Sequence, residues 1–111
     1  MTVLEAVKIL KTDVLFEGDA ANDNIRHVVA SDLMSDVLLV DDDNILLLTS
    51  LASDQVLRTA QIIGAVGVVV VNGKSLPSSM VGVAEDLGMT LMTCGLSKYD
   101  ACVAMYEALK D

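Results

Sequence analysis

The sequence predicts an α/β domain with a mostly parallel sheet of about four to five strands and flanking helices, a three-layer-like arrangement. Three observations predict it. The run Gly64-Ala65-Val66-Gly67-Val68-Val69-Val70-Val71-Asn72-Gly73 is apolar and β-branched until it stops in Asn-Gly. A strand without a polar alternate face must be covered on both sides, and Asn-Gly is a strong turn signal. Helix-period segments lie before and after that run. The second half then alternates β-α-β-α-β-α with short loops, the order of right-handed crossovers in a parallel sheet.

Each element has its own local reason. Thr2 caps a first helix, with Glu5 three residues on completing a capping-box pattern, and Val3, Leu4, Val7, Ile9 and Leu10 supply its apolar face. Residues 13–16 read as a short strand, Glu17-Gly18-Asp19 as a turn, and 21–24 as a polar surface loop. A second strand is expected over 25–30; with the first, it adds to an edge of the sheet, with antiparallel pairing allowed there. A short helix follows to about Val40, with Ser31 or Asp32 as its cap.

Asp41-Asp42-Asp43-Asn44 has the look of a calcium loop, but Leu46 stands where that loop needs Gly and Ala52 where it needs Glu. A solvated turn is the better reading. Residues 45–48 form a strand ending in Thr49-Ser50. Val56, Leu57, Ala60 and Ile63 mark a helix from about Ser53 to Ile63. After the glycine-rich strand, Pro77 starts a helix that carries Met80, Val83, Ala84 and Leu87 on one face and is closed by Gly88. Residues 89–93 form the last strand. Ser97 caps the last helix, with Asp100 three residues on and Ala101, Cys102, Met105 and Leu109 turned inward.

Residues 1–111 are expected to make a single domain. Apolar residues make up 53% of the chain, yet no stretch reaches the roughly 18–20 residues of a membrane span. No basic segment precedes an apolar signal-like run, so a cytoplasmic location is expected. Seven basic against sixteen acidic residues give a net charge of −9, and Phe16, Tyr99 and Tyr106 are the only aromatics. Nucleic acid and anionic membrane are poor partners for such a chain, which offers neither a basic patch nor a stacking platform. The charge serves to keep a very apolar domain in solution.

Function classes follow from the strand ends. In a parallel sheet, ligands sit at the carboxyl ends of the strands. There the chain presents Ser31-Asp32, Thr49-Ser50, Asn72-Gly73-Lys74 and Thr93-Cys94-Gly95. The candidate ligand-binding residues are Thr49, Ser50, Ser53, Asn72, Gly73, Lys74, Thr93 and Cys94, whose hydroxyls, amides and ammonium suit a nucleotide or other anion. The same residue types also cap helices and make turns wherever strand meets helix. Asn72-Gly73-Lys74-Ser75 lacks the first Gly of a phosphate-binding loop, and Gly64, Gly67 and Gly73 do not fit a dinucleotide fingerprint. Cys94 follows a strand and precedes Gly95, where a thiol can be activated, but no base lies near it in sequence. Cys102 reads as a packing thiol. His27 has no Ser or Asp partner in triad order, and nothing assembles an acid, a base and a nucleophile. No catalytic residue, metal ligand or cofactor is expected.

With these elements in place, the chain resembles a DRTGG domain from Thr2 to Leu109. The likeness rests on the opening helix followed by Val14-Leu15 and the turn at Gly18. It rests also on Val29-Ala30-Ser31-Asp32-Leu33-Met34-Ser35-Asp36-Val37 and on Ser97-Lys98-Tyr99-Asp100-Ala101. The resemblance implies a small α/β domain similar to the N-terminal domain of bacterial HPr kinase, found beside CBS domains in regulatory pyrophosphatases and within some phosphotransacetylases. It implies an accessory, dimer-forming or regulatory module without the kinase's catalytic domain. The chain departs from the naming pattern: Leu51-Ala52-Ser53 stands for Gly-Asp-Arg, and Val71-Asn72-Gly73 for Thr-Gly-Gly. Loss of the Arg removes an anion partner.

The leading expectation is a non-catalytic regulatory or interaction domain that self-associates as a homodimer and acts on a partner protein. High apolar content in so small a domain, including six methionines, motivates it. Met80, Met89, Met92 and Met105 suit core or interface, and core alone is the better reading of them. The alternative is a sensor that binds a nucleotide or anionic metabolite at the strand-end rim.

Overall fold

In the computed structural model, which describes residues 1–110, five strands form one sheet with helices on both faces. The elements are α1 (Val3–Leu10), β1 (Asp13–Phe16), β2 (His27–Ala30), α2 (Met34–Val37), β3 (Ile45–Thr49), α3 (Asp54–Ile62), β4 (Gly67–Val70), α4 (Ser78–Leu87), β5 (Leu91–Thr93) and α5 (Lys98–Leu109). The strand order is β1-β5-β4-β3-β2, with β1 antiparallel to β5 and every other pairing parallel. The predicted class, a mostly parallel sheet between helices, is the observed one.

The two apolar runs are the central strands, and every residue of β3 and β4 is buried. Successive side chains enter opposite cores. Ile45, Leu47, Val68 and Val70 pack with Met34 of α2, Val56 and Leu57 of α3, and Met80 of α4. Leu46, Leu48, Val69 and Val71 pack with Val3 and Leu10 of α1 and with Ala101 and Met105 of α5. Neither face meets water, so neither strand alternates with polar residues. Gly67 lets α1 approach β4 closely: a Cβ there would lie 3.3 Å from Leu46 Cδ1 and 3.4 Å from Val3 Cγ1.

Capping follows the sequence at both chain-end helices. The Thr2 hydroxyl accepts from the Glu5 amide at 3.2 Å, and the Glu5 carboxylate accepts from the Thr2 amide at 3.0 Å. The Ser97 hydroxyl accepts from the Asp100 amide at 3.1 Å. Gly88 closes α4 in the left-handed conformation.

Other local expectations are corrected. β1 and β2 lie at opposite edges of the sheet, and β2 is parallel to β3. β2 starts at His27; the Ile25 amide is taken by the Met1 carbonyl at 2.6 Å, and its side chain fills the α1–α5 core. α2 is a single turn ending at Val37, without a side-chain cap bond. The Ser31 hydroxyl accepts from Leu33 N at 3.1 Å, making a turn before the helix, while Asp32 is drawn away to the end of β3. β5 starts at Leu91, two residues later than expected. Cys102 is half-buried at the border of the core.

Candidate functional site

The parallel strands β2, β3, β4 and β5 end on one rim, where the loops leading to α2, α3, α4 and α5 meet. Its centre is Asp32. One carboxylate oxygen accepts from the buried Thr49 hydroxyl at 2.9 Å and from the Ser50 amide at 2.7 Å. The other accepts from the Ser50 hydroxyl and, at 2.7 Å, from Lys98 Nζ. Burial pushes the Asp32 carboxyl up, but the hydrogen bonds from Lys98, Ser50 and Thr49 outweigh it and hold it well below the usual carboxylate range. The Thr49 hydroxyl also accepts from the Leu51 amide at 3.2 Å, which starts the turn toward α3.

The remaining candidates form the other half of the rim. Asn72 and Gly73 both have positive φ, 68° and 63°, which explains the Asn-Gly pair. Their amides donate to the carbonyls of Leu96 at 2.8 Å and Cys94 at 2.9 Å, tying the end of β4 to the loop after β5. Cys94 is buried; its thiol donates to the Leu10 carbonyl at 3.2 Å and accepts from the Leu96 amide at 3.4 Å. Thr93 ends β5 half-buried. Ser53 occupies the cap position of α3 without a side-chain bond to the helix, and Lys74 is exposed. His27 stands at the start of β2, at the opposite end of the strand, with Nδ1 2.8 Å from the Asp43 carbonyl oxygen.

The structure therefore joins Thr49 and Ser50 to Asp32 and Lys98, and ties Asn72 and Gly73 to the Cys94 loop. Lys98 is the residue that sequence reasoning missed. It lies 66 positions from Asp32 and meets it because α5 crosses from the end of β5 back over β3 and β2. Only the Ser97 cap, which places Lys98 at a helix start on the same rim, pointed to it.

A second feature lies beside the rim. Between β2 and α5 runs an apolar groove of about 500 Å³, where Val28 and Ala30 face Cys102, Met105, Tyr106 and Leu109. Tyr99, Val103 and Tyr106 are exposed on the same helix. The sequence signal for it is that α5 carries apolar side chains beyond its inward stripe, which a helix with one solvated face does not need.

A scan against protein-family models finds no match, and no curated protein matches. Among solved structures, the chain is similar to the CBS and DRTGG domains of the regulatory region of a Clostridium perfringens pyrophosphatase, complexed with the activator diadenosine tetraphosphate. The TM-score is 0.73 at 10% identity, over 97% of this chain and 47% of that one. The chain thus spans about half the length of that structure. At this identity the likeness is one of fold, and it supports a DRTGG-related fold.

Proposed function

We propose that this chain is a single DRTGG-like, non-catalytic regulatory or interaction domain that works by associating with protein surfaces, in a cytoplasmic setting. One observation carries the reading. At the strand-end rim Asp32, Thr49, Ser50 and Lys98 are engaged with one another, whereas the apolar β2–α5 groove and the side chains around it are left open. Open apolar surface on a small domain marks an association site. A non-catalytic role agrees with Cys94 bonded to the Leu10 carbonyl and with His27 at the far end of β2 from that thiol. Likeness to a pyrophosphatase regulatory region is a further support. The likeness to the HPr kinase N-terminal domain rests on the matching segments alone.

A second reading, nucleotide or anion sensing at the rim, is favoured by a specific placement. Lys74 and Lys98 stand on the same rim as the start of α3, whose Ser53 makes no cap bond. Amide NMR titration with diadenosine tetraphosphate and with mononucleotides separates the two readings. The association reading expects no saturable shifts at Ser53, Lys74 or Lys98 and no rise in melting temperature. Ligand at about 100 times its dissociation constant would stabilise the fold by about 2.7 kcal/mol, so a saturable rim response with a clear rise overturns it.

A further inference from the structure

We infer that the open edge of β2 and the adjoining groove take a segment of another protein as an added strand: an extended peptide, apolar at its centre and basic at both ends. The inference rests on the association reading and names the chemistry of its partner.

The backbone supplies the first argument. β2 has one neighbour in the sheet, β3. His27 N donates to Asn44 O at 3.3 Å and Ser31 N to Leu48 O at 3.1 Å, so the alternate residues 27, 29 and 31 turn their peptide groups toward β3. The N–H and C=O groups of Val28 and Ala30 therefore point outward from the sheet edge, and no other described residue bonds to them. An edge of this kind is a template for another strand. An extended chain matches these donors and acceptors, whereas a helix spends its backbone groups on itself. The opposite edge is less suited. β1 meets β5 with a register shift between Val14 and Phe16, an irregularity that blunts an edge, while β2 keeps unbroken register with β3 over all four residues.

Side-chain alternation sets what the centre of the peptide carries. In an antiparallel addition, the residues opposite Val28 and Ala30 share the face of those two side chains, which line the groove. They enter it against Met105, Tyr106 and Leu109 of α5. The residue between them stands opposite Val29, which packs into the core on the α2 side, where Leu33, Leu38 and Leu39 are exposed. A strand covered on both faces is apolar at every position, so all three central residues are apolar.

Charge sets what the ends carry. Residues 26–43 and 98–110 hold β2 and the segments on either face of it, and contain seven acidic residues against three Lys and Arg. Each of those three cations already has an acid: Arg26 pairs with Asp43 at 3.3 Å, Lys98 with Asp32 at 2.7 Å and Lys110 with Glu107 at 2.9 Å. Asp36, Asp41, Asp42 and Asp100 are exposed and have no Lys or Arg partner among the described residues. They stand at both ends of the edge. Asp42 lies 3.8 Å from the His27 ring at the start of β2, with Asp41 beside it in the chain. Asp36 and Asp100 belong to α2 and α5, which begin at the rim where β2 ends. Basic residues on each side of the apolar centre meet this surplus, and acidic ones are repelled. A second copy of this chain would bring the same acids to both ends, so like charges would meet.

The test uses the 111-residue chain and a synthetic peptide, Val-Ile-Val with two lysines on each side, acetylated and amidated. Amide NMR titration at low salt should give saturable shifts at Val28, Ala30, Cys102 and Tyr106, with a dissociation constant below about 1 mM. Exchanging the lysines for glutamates should weaken binding at least about 10-fold, and about 0.5 M salt should weaken the lysine peptide. N-methylation of both valines, whose N–H groups face β2, should abolish binding. The same change at the central isoleucine, whose N–H faces away, should cost less than about threefold. On the protein, Ala30→Pro removes an outward donor and leaves the β3 ladder intact, and Ala30→Lys adds a like charge at an exposed position. Each should weaken binding at least about 10-fold, and Ala30→Lys should keep the wild-type melting curve. No saturable binding, an acidic peptide that binds as tightly, indifference to both Ala30 variants, shifts confined to β1 or to the strand-end rim, or a dimer of the chain that excludes the peptide each overturns the inference. None of these outcomes touches the broader association reading, which fails on the nucleotide titration instead.

Discussion

The strand-end rim and the β2–α5 groove share the same two elements, β2 and α5, yet the Asp32 cluster of the one is closed on itself and the other is open. At the rim, Asp32 collects donors from Thr49, Ser50 and Lys98. Every bond made there is one that a ligand would have to replace. In the groove, Val28, Ala30, Tyr106 and Leu109 have apolar surface that nothing in the described chain covers. The difference teaches that a fold's usual ligand position need not be its open surface. Polar residues at strand ends can serve to tie crossovers together, and the surface left for association is then the one the sheet edge leaves bare.

The sharpest break in this comparison lies within the groove itself, between its floor and its lip. Met105 is fully buried in the α1–α5 core, whereas Tyr106, the next residue, is 68% exposed. Met105→Ala should cost about 2–4 kcal/mol of stability through the cavity it leaves. Tyr106→Ala should stay within about 0.5 kcal/mol while weakening association at the groove. Urea unfolding at low protein concentration reads the first effect, and titration with the lysine-flanked peptide reads the second. Equal stability losses at the two positions would mean that the lip belongs to the core and the groove is not a free surface.

The rim gives the next largest effect. Asp32→Ala deprives the buried Thr49 hydroxyl of its acceptor and should cost about 1 kcal/mol, held near that level because the carboxylate side chain is 43% exposed. Thr49→Val removes the donor instead. In the Asp32→Ala background that second change should cost less than in the wild type, since only the bond from the Leu51 amide is left to lose. Full additivity in the double-mutant cycle would show that the two residues do not act as one unit.

The centre of the fold was legible because its signal is continuous: β3 and β4 are buried on both faces, and only an unbroken apolar run satisfies that. Thr2, Glu5, Gly88 and Ser97 were legible because caps are local chemistry. The edges were not. β1 and β2 are short and half-covered, so their pattern says neither which neighbour they join nor in which direction. Thr49, Ser50, Asn72 and Gly73 could be placed on one rim from strand order alone. That Asp32 and Lys98 lock that rim depends on the path of α5 across the sheet, which no spacing encodes. The groove was hidden for a similar reason. Cys102 and Leu109 fit an inward stripe by periodicity, but β2 is the last strand on that side and leaves them only half covered.

The smallest expected effect decides how firmly the rim is closed. Asp32 has its carboxyl pKa depressed below the value of 3.8 for an unperturbed side chain, with the donated bonds outweighing burial. The unfolded chain therefore takes up this proton first as pH falls. The stabilisation is fully present above that value and is lost progressively as pH drops below it. Asp32→Asn should be less stable than the wild type at neutral pH, and the gap should narrow by about pH 3. Lys98→Gln should lie between the two. Its partly exposed pair is worth about 0.2–1 kcal/mol, and that difference should shrink at about 1 M salt. Urea midpoints of the three proteins across this range supply the measurement. A gap between wild type and Asp32→Asn that holds constant into acid would mean that Asp32 does not carry a stabilising charge. Lys98 would then be held only loosely, the rim would stand open beside the groove, and the anion-sensing reading would regain the ground that the hydrogen-bond geometry takes from it.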